Sequence, residues 1–140
     1  MSAAVEHFNR RLLRARDAMD RTYDQPLDIP SLASIACISE AHFIRSFRAT
    51  FGETPHRYLQ RRRVERAMFL LRETDRDVTD ICADVGFSSL ATFSRTFREI
   101  VGESPTSYRL NAPRAVAPTC FLMAAMRPSS FGTAGWPNGQ

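Results

Sequence analysis

The feature that most constrains this chain is an internal repeat. Shifted by 50 positions, residues 43–58 fall on residues 93–108, and eight of the sixteen positions are identical: Phe43/Phe93, Arg45/Arg95, Phe47/Phe97, Arg48/Arg98, Gly52/Gly102, Glu53/Glu103, Pro55/Pro105 and Tyr58/Tyr108. Upstream the offset becomes 49, pairing Cys37 with Gly86, Ile38 with Phe87 and Ser39 with Ser88, so one residue has been gained in the second turn. A duplication of this density means that one supersecondary unit is built twice.

Each copy reads as a short helix, a turn and a longer helix. In the first, a helix from about Ser31 to Ala36 carries Leu32 and Ile35 inward, and Cys37-Ile38-Ser39 turns the chain. Ser39 then caps a helix to about Phe51, with Phe43, Phe47 and Phe51 at i, i+4 and i+8 on one buried face. That orientation leaves Ala41, Ile44, Arg45 and Arg48 outward, and Gly52 ends the helix. In the second copy Asp77 caps a helix through Ala83, with Val78, Ile81, Cys82 and Val85 inward. Gly86 suits a turn that needs positive φ, and Ser88-Ser89 open the next helix. Phe93 and Phe97 face the core there, which leaves Leu90, Ala91, Ser94, Arg95 and Arg98 outward. This order is a helix-turn-helix, whose second helix can enter a major groove about 12 Å wide.

Between the copies, residues 54–73 read as one helix. Thr54 is a good N-cap, and Pro55 sits at the first helical position, where its missing N–H costs nothing. Tyr58, Leu59, Arg62, Val64, Ala67, Leu70 and Leu71 give a mostly apolar stripe beside the arginine run Arg57, Arg61, Arg62, Arg63 and Arg66. Before the repeats, residues 4–23 form an amphipathic helix whose Val5, Phe8, Leu12, Ala15, Met19 and Tyr23 are expected to pack on the first copy. Its arginines Arg10, Arg11, Arg14 and Arg16 are diluted by Glu6, Asp17 and Asp20, so packing outranks DNA contact as its task. Ser104-Pro105 starts a last short helix through about Leu110. The expected organisation is all-α: an N-terminal helix (1–26), a first helix-turn-helix (27–53), a linker helix (54–74), a second helix-turn-helix (75–110) and a Pro/Gly-rich tail (111–140) whose apolar run, 120–126, has no readable role.

Charge and composition narrow the function. All 19 basic residues are arginine, and residues 39–66 hold seven of them against Glu40, Glu53 and Glu65. Residues 1–38 are balanced and residues 67–110 are net acidic, so the positive surface belongs to the first copy and the central helix, as a phosphate-facing patch requires. No run of about 18 apolar residues exists to cross a membrane, and the N-terminus lacks a secretory core. Cys37, Cys82 and Cys120 have no metal-ligand spacing and fit small hydrophobes in a reducing cytoplasm, with Cys37 and Cys82 expected to be buried. His7, His42 and His56 are scattered and no phosphate-binding glycine loop occurs, so neither catalysis nor a cofactor is expected.

The second copy resembles the signature of the AraC/XylS family of transcriptional regulators, at Ile81-Cys82, Gly86-Phe87-Ser88, Phe93-Ser94-Arg95-Thr96-Phe97-Arg98, Gly102, Ser104-Pro105 and Tyr108-Arg109. Tyr58, Leu59, Arg63, Val64, Ala67, Leu70 and Leu71 resemble that family's linker helix, and the likeness runs from about Leu27 to Arg109. It implies a seven-helix module of two homeodomain-like helix-turn-helix subdomains joined by the long helix, with both recognition helices reaching adjacent segments of major groove. About twenty helical residues span roughly 30 Å, near the ~34 Å between successive turns of groove.

Carried over by position, the resemblance makes Ala41, Ile44, Arg45, Leu90, Ala91, Ser94 and Arg95 base readers. Arginine can make bidentate contacts to guanine, and alanine, isoleucine or leucine can touch thymine methyls. Ser39, Arg48, Arg57, Arg61, Arg62, Ser89 and Arg98 are the expected phosphate contacts. Cys37 departs from the pattern, standing where the family has Gly. The implied protein is a cytoplasmic, nucleoid-associated regulator that binds double-stranded DNA as a monomer and works with RNA polymerase. With no room here for a ligand-sensing domain, regulation by abundance or by a partner protein is expected, unless this chain is a fragment of a longer regulator. The rival is a protein-interaction or architectural module that uses the same fold without reading sequence, for which Arg45 and Arg95 are dispensable.

Overall fold

The computed structural model describes residues 2–112. These form seven helices and no strand: α1 (Ala3–Arg21), α2 (Ile29–Ala36), α3 (Glu40–Phe51), α4 (Pro55–Glu73), α5 (Val78–Asp84), α6 (Leu90–Val101) and α7 (Pro105–Asn111). The apolar run 120–126 lies outside the described residues. The described residues divide into two compact units, one ending at Leu59 and the other beginning at Gln60, and α4 begins in one and continues into the other.

Short polar side chains cap the helices except α5, where Asp77 stands at the expected N-cap position but makes no side-chain cap hydrogen bond. Asp28 accepts the Ser31 N–H at 2.9 Å, Ser39 that of His42 at 3.2 Å, Thr54 that of Arg57 at 3.2 Å, Ser89 that of Thr92 at 3.0 Å and Ser104 that of Ser107 at 3.1 Å. Each satisfies a donor that has no partner inside its own helix. The bond from the Ser31 backbone, then its side chain, holds the Asp28 carboxyl below its ordinary pKa. Glycine ends both long repeat helices: Gly52 at φ 85° donates to Arg48 O, and Gly102 at φ 100° donates to Arg98 O. An open space surrounds the Cβ position of both, so backbone strain alone selects glycine there.

The repeat is also a repeat of packing. In the first unit Leu12, Met19, Leu32, Ala36, Phe43, Phe47 and Tyr58 are buried together. In the second, Val64, Ala67, Leu71, Ile81, Val85, Phe93 and Phe97 are buried together, with Tyr108 packed against them. Phe43 and Phe47 rings lie 5.6 Å apart and Phe93 and Phe97 rings 5.7 Å apart. Tyr58 meets Phe47 edge-on at 5.7 Å, and Tyr108 meets Phe97 edge-on at 5.6 Å, the geometry that aromatic quadrupoles favour. The two hydroxyls find different partners: Tyr58 donates to Asp20 at 2.6 Å, whereas Tyr108 accepts from Arg72 at 3.1 Å.

Several expectations change. Val5, expected to pack on the first copy, is 46 % exposed and lies outside the buried cluster of that unit. Ile35 is 39 % exposed, because α2 turns Leu32, Ala33 and Ala36 inward and so carries Ile35 on its outer face. Cys37 is exposed rather than buried and occupies the left-handed region at φ 60°, as the C-cap of α2, while Cys82 is buried as expected. Burial raises the Cys82 thiol pKa, which keeps it protonated. The repeat register also shifts: by capping role Ser39 corresponds to Ser89, so the residue gained in the second turn is Ser88.

Buried charge on α4 is the other departure from a simple apolar core. Glu65 is 1 % exposed, with Arg61 Nη1 2.6 Å from one carboxylate oxygen and Arg62 Nη1 3.7 Å from the other. Removing one member of such a pair leaves the rest charged in a medium that solvates charge poorly. Glu65→Ala therefore lowers unfolding free energy by about 3–5 kcal/mol in urea titration. Cys37→Gly acts in the opposite direction. It relieves left-handed strain of about 1–2 kcal/mol against about 0.5–1 kcal/mol of extra chain entropy, so the urea midpoint rises modestly.

Candidate nucleic-acid interface

The orientation of α3 follows from its phenylalanines. With Phe43 and Phe47 fully buried, Ala41, Ile44, Arg45 and Arg48 are left exposed at the three-and-four spacing of one helical face. The same holds in α6, where buried Phe93 and Phe97 leave Leu90, Ala91, Arg95 and Arg98 exposed and Ser94 half-buried. Thr96 is buried and stands 3.5 Å from Gln60 Nε2, which fixes the inner face of α6 further. Each long helix thus shows solvent an apolar residue or two and two arginines one turn apart.

The turn before α3 is held from a distance. Arg11 of α1 donates through Nε to Ala36 O at 2.9 Å and through Nη2 to Cys37 O at 3.3 Å. Both carbonyls lie at the C-terminus of α2, where a cation also meets the negative end of the helix dipole. The Arg11 guanidinium sits 5.4 Å from the Phe8 ring, and Phe8 stacks on His42 of α3 at 5.3 Å and 21°. Sequence reading assigned Arg11 only a weak chance of touching DNA and gave His42 no role. Their positioning task had no local signal, since their partners lie 25 or more residues away.

The central arginines divide. Arg57 is half-buried, whereas Arg61 is 5 % and Arg62 8 % exposed and both engage Glu65 within α4. Burial withdraws these two guanidiniums from solvent, so the expected phosphate role does not fit them; they hold the carboxylate of their own helix. Arg63 lies 5.8 Å from the Phe87 ring and Arg66 4.9 Å from that of Phe69. In the second unit Arg109 donates to Leu71 O at 3.0 Å and Thr74 O at 3.2 Å, closing the end of α4. The exposed arginines on the second helix of each unit are Arg45, Arg48, Arg95 and Arg98, with the capping hydroxyls of Ser39 and Ser89 at the exposed N-termini of α3 and α6.

Among the described residues no helix is long and apolar enough to cross a membrane, and no group of three His, Cys, Asp or Glu side chains could hold a metal. Two helix-turn-helix units, each turning an arginine-bearing second helix outward, define the class as a double helix-turn-helix DNA-binding fold.

Known proteins place it more narrowly. A family described as a helix-turn-helix domain matches residues 32–111. The regulatory protein SoxS of Salmonella typhimurium is 37 % identical over 91 residues, covering 65 % of this chain and 85 % of SoxS. A probable transcriptional regulator of Photobacterium leiognathi, LumQ, is 30 % identical over 105 residues, 75 % of this chain. The chain spans 42 % of LumQ and 13 % of a matching Staphylococcus aureus regulator. Among solved structures, the DNA-binding domain of AdpA in complex with a target DNA superimposes with a TM-score of 0.68 at 30 % identity, covering 71 % of this chain and 90 % of that one. An AraC-type regulator from Chromobacterium violaceum gives a TM-score of 0.68 at 28 % identity, covering 79 % and 96 %. The chain belongs to the AraC-type helix-turn-helix family of DNA-binding transcription regulators, which are not enzymes.

The division among arginines has a direct check. Arg61→Ala lowers the urea midpoint, because Glu65 loses its nearest cation, whereas Arg98→Ala, fully on the surface, changes it by no more than about 0.5 kcal/mol in unfolding free energy.

Proposed function

We propose that this chain binds double-stranded DNA sequence-specifically, with α3 and α6 each entering a major-groove segment. One observation carries this reading. Packing accounts for the repeat-identical Phe43/Phe93, Phe47/Phe97, Pro55/Pro105 and Tyr58/Tyr108 and positive φ for Gly52/Gly102, but Arg45/Arg95 and Arg48/Arg98 are identical and exposed. An arginine kept at the same outward position of both copies has a ligand, not the core, as its reason. The proposed base readers are Arg45 and Arg95, with Ala41, Ile44, Leu90, Ala91 and Ser94 beside them. Ser39, Arg48, Arg57, Ser89 and Arg98 are the proposed phosphate contacts, which set register without reading sequence.

Because the two reader sets differ in composition, the proposed site is asymmetric and bound by a monomer in the cytoplasm. RNA polymerase is the proposed protein partner. The exposed Asp80 and Asp84 of α5, the latter paired with Arg76, give a surface unsuited to phosphate and open to protein.

Selection from a random duplex pool tests the reading: an enriched, asymmetric two-part motif supports it, and salt-dependent binding without enrichment supports an architectural or protein-interaction role instead. On the selected site, Arg45→Ala costs about 1–3 kcal/mol and relaxes preference at one position. Arg48→Ala instead weakens every duplex about equally and reduces the slope of log K against log salt by about 0.9. Equal losses from both variants on all sequences would contradict the split between reading and positioning.

A further inference from the structure

We infer that much of the sequence reading is done by apolar contact with the 5-methyl groups of thymine, through Ile44 in the first unit and Leu90 in the second. The inference rests on the DNA-binding reading above and makes it specific about chemistry. Ile44 is 37 % exposed and Leu90 44 % exposed, and neither belongs to the core of its unit. Ile44 stands on the face that carries the exposed arginines, next to Arg45 and one turn from Arg48, whereas Leu90 is exposed as the first residue of α6, next to Ala91 and one turn from Ser94. A large apolar side chain held in water among cations gains nothing in the free protein, since its burial is favourable only when another surface covers it.

Major-groove chemistry decides which surface. The arginines attract phosphate and leave each helix with one guanidinium at the base-reading position, Arg45 or Arg95, for guanine O6 and N7. The neighbouring reader positions are Ala41 and Ile44 in α3, and Leu90 and Ala91 with the half-buried Ser94 in α6. Ala41, Ile44, Leu90 and Ala91 have no side-chain donor or acceptor, so they cannot distinguish the hydrogen-bonding edges of A, G or C. The thymine methyl is the apolar group that the four bases display in the major groove. Each half of the site then reads as a guanine fixed by arginine beside a thymine fixed by its methyl. The acceptor O4 and the base pair itself contribute little at that thymine.

Replacing thymine by deoxyuridine removes the methyl and keeps every hydrogen-bonding group. The experiment takes the duplex selected by the full chain and substitutes deoxyuridine one thymine at a time, measuring the dissociation constant. One thymine in each half loses about fourfold in affinity, which is the roughly 0.8 kcal/mol expected for a buried methyl-sized group. In Ile44→Ala the loss at one half vanishes, and in Leu90→Ala the loss at the other half vanishes. Both variants alter exposed helical positions, and an unchanged melting temperature establishes that they fold. Deoxyuridine bound as tightly as thymine at every position overturns the inference while leaving sequence-specific binding intact. So does a loss that persists undiminished in both alanine variants. A random pool that yields no motif overturns this inference together with the reading it rests on.

Discussion

Each unit depends on an aromatic corner, in which a tyrosine at the end of the repeat lies edge-on against the second phenylalanine of the preceding long helix. Tyr58 on Phe47 and Tyr108 on Phe97 are the same joint made twice. The joint does more than fill volume. Turning the phenylalanine row toward a tyrosine fixes the rotation of the helix about its axis, and helical geometry then decides what is left outside. Arg45 and Arg95 face solvent because Phe47 and Phe97 do not. The presentation of the proposed DNA-binding surface is thus set by the core, and glycine C-caps with serine N-caps fix where that surface begins and ends.

Most of this was legible because it is local. A capping serine, a phenylalanine row at fourfold spacing, a glycine where φ must be positive and a proline at N1 all act within one or two turns. The duplication let each copy check the other. The expectations that changed depend on distance or on small margins. Ile35 was assigned inward by spacing, but α2 is only eight residues long and Ala33 and Ala36 claim its inner face. Cys37 was expected to behave as Cys82 does. The turn instead holds its backbone left-handed and its side chain in solvent. Of the proposed site, the outward faces of α3 and α6 were readable, and the burial of Arg61 and Arg62 was not, because an arginine run looks the same in sequence whether it faces phosphate or an internal carboxylate.

That ambiguity runs through the molecule, since the chain has nineteen arginines and no lysine. Arg61 and Arg62 neutralise Glu65, Arg11 and Arg109 close helix ends, and Arg16 covers the Phe51 ring at 4.5 Å. A count of positive charge therefore overstates the surface available to DNA. What distinguishes the arginines of α3 and α6 is that they are both doubled in the repeat and exposed.

The two-pronged grip of Arg11 and Arg109 bears on how such a sequence can drift. Each spans two carbonyl oxygens with separate nitrogens of one planar group, Ala36 with Cys37 in one case and Leu71 with Thr74 in the other. A lysine ammonium is a single point of charge and cannot reproduce that fork. Exposed positions such as Arg48 and Arg98 ask only for positive charge near an anion, which lysine supplies. Genetic drift in base composition could therefore exchange arginine for lysine freely at phosphate-facing positions and be blocked at the helix ends, so the arginines that survive such drift would mark the skeleton and the proposed guanine readers Arg45 and Arg95 rather than the phosphate contacts.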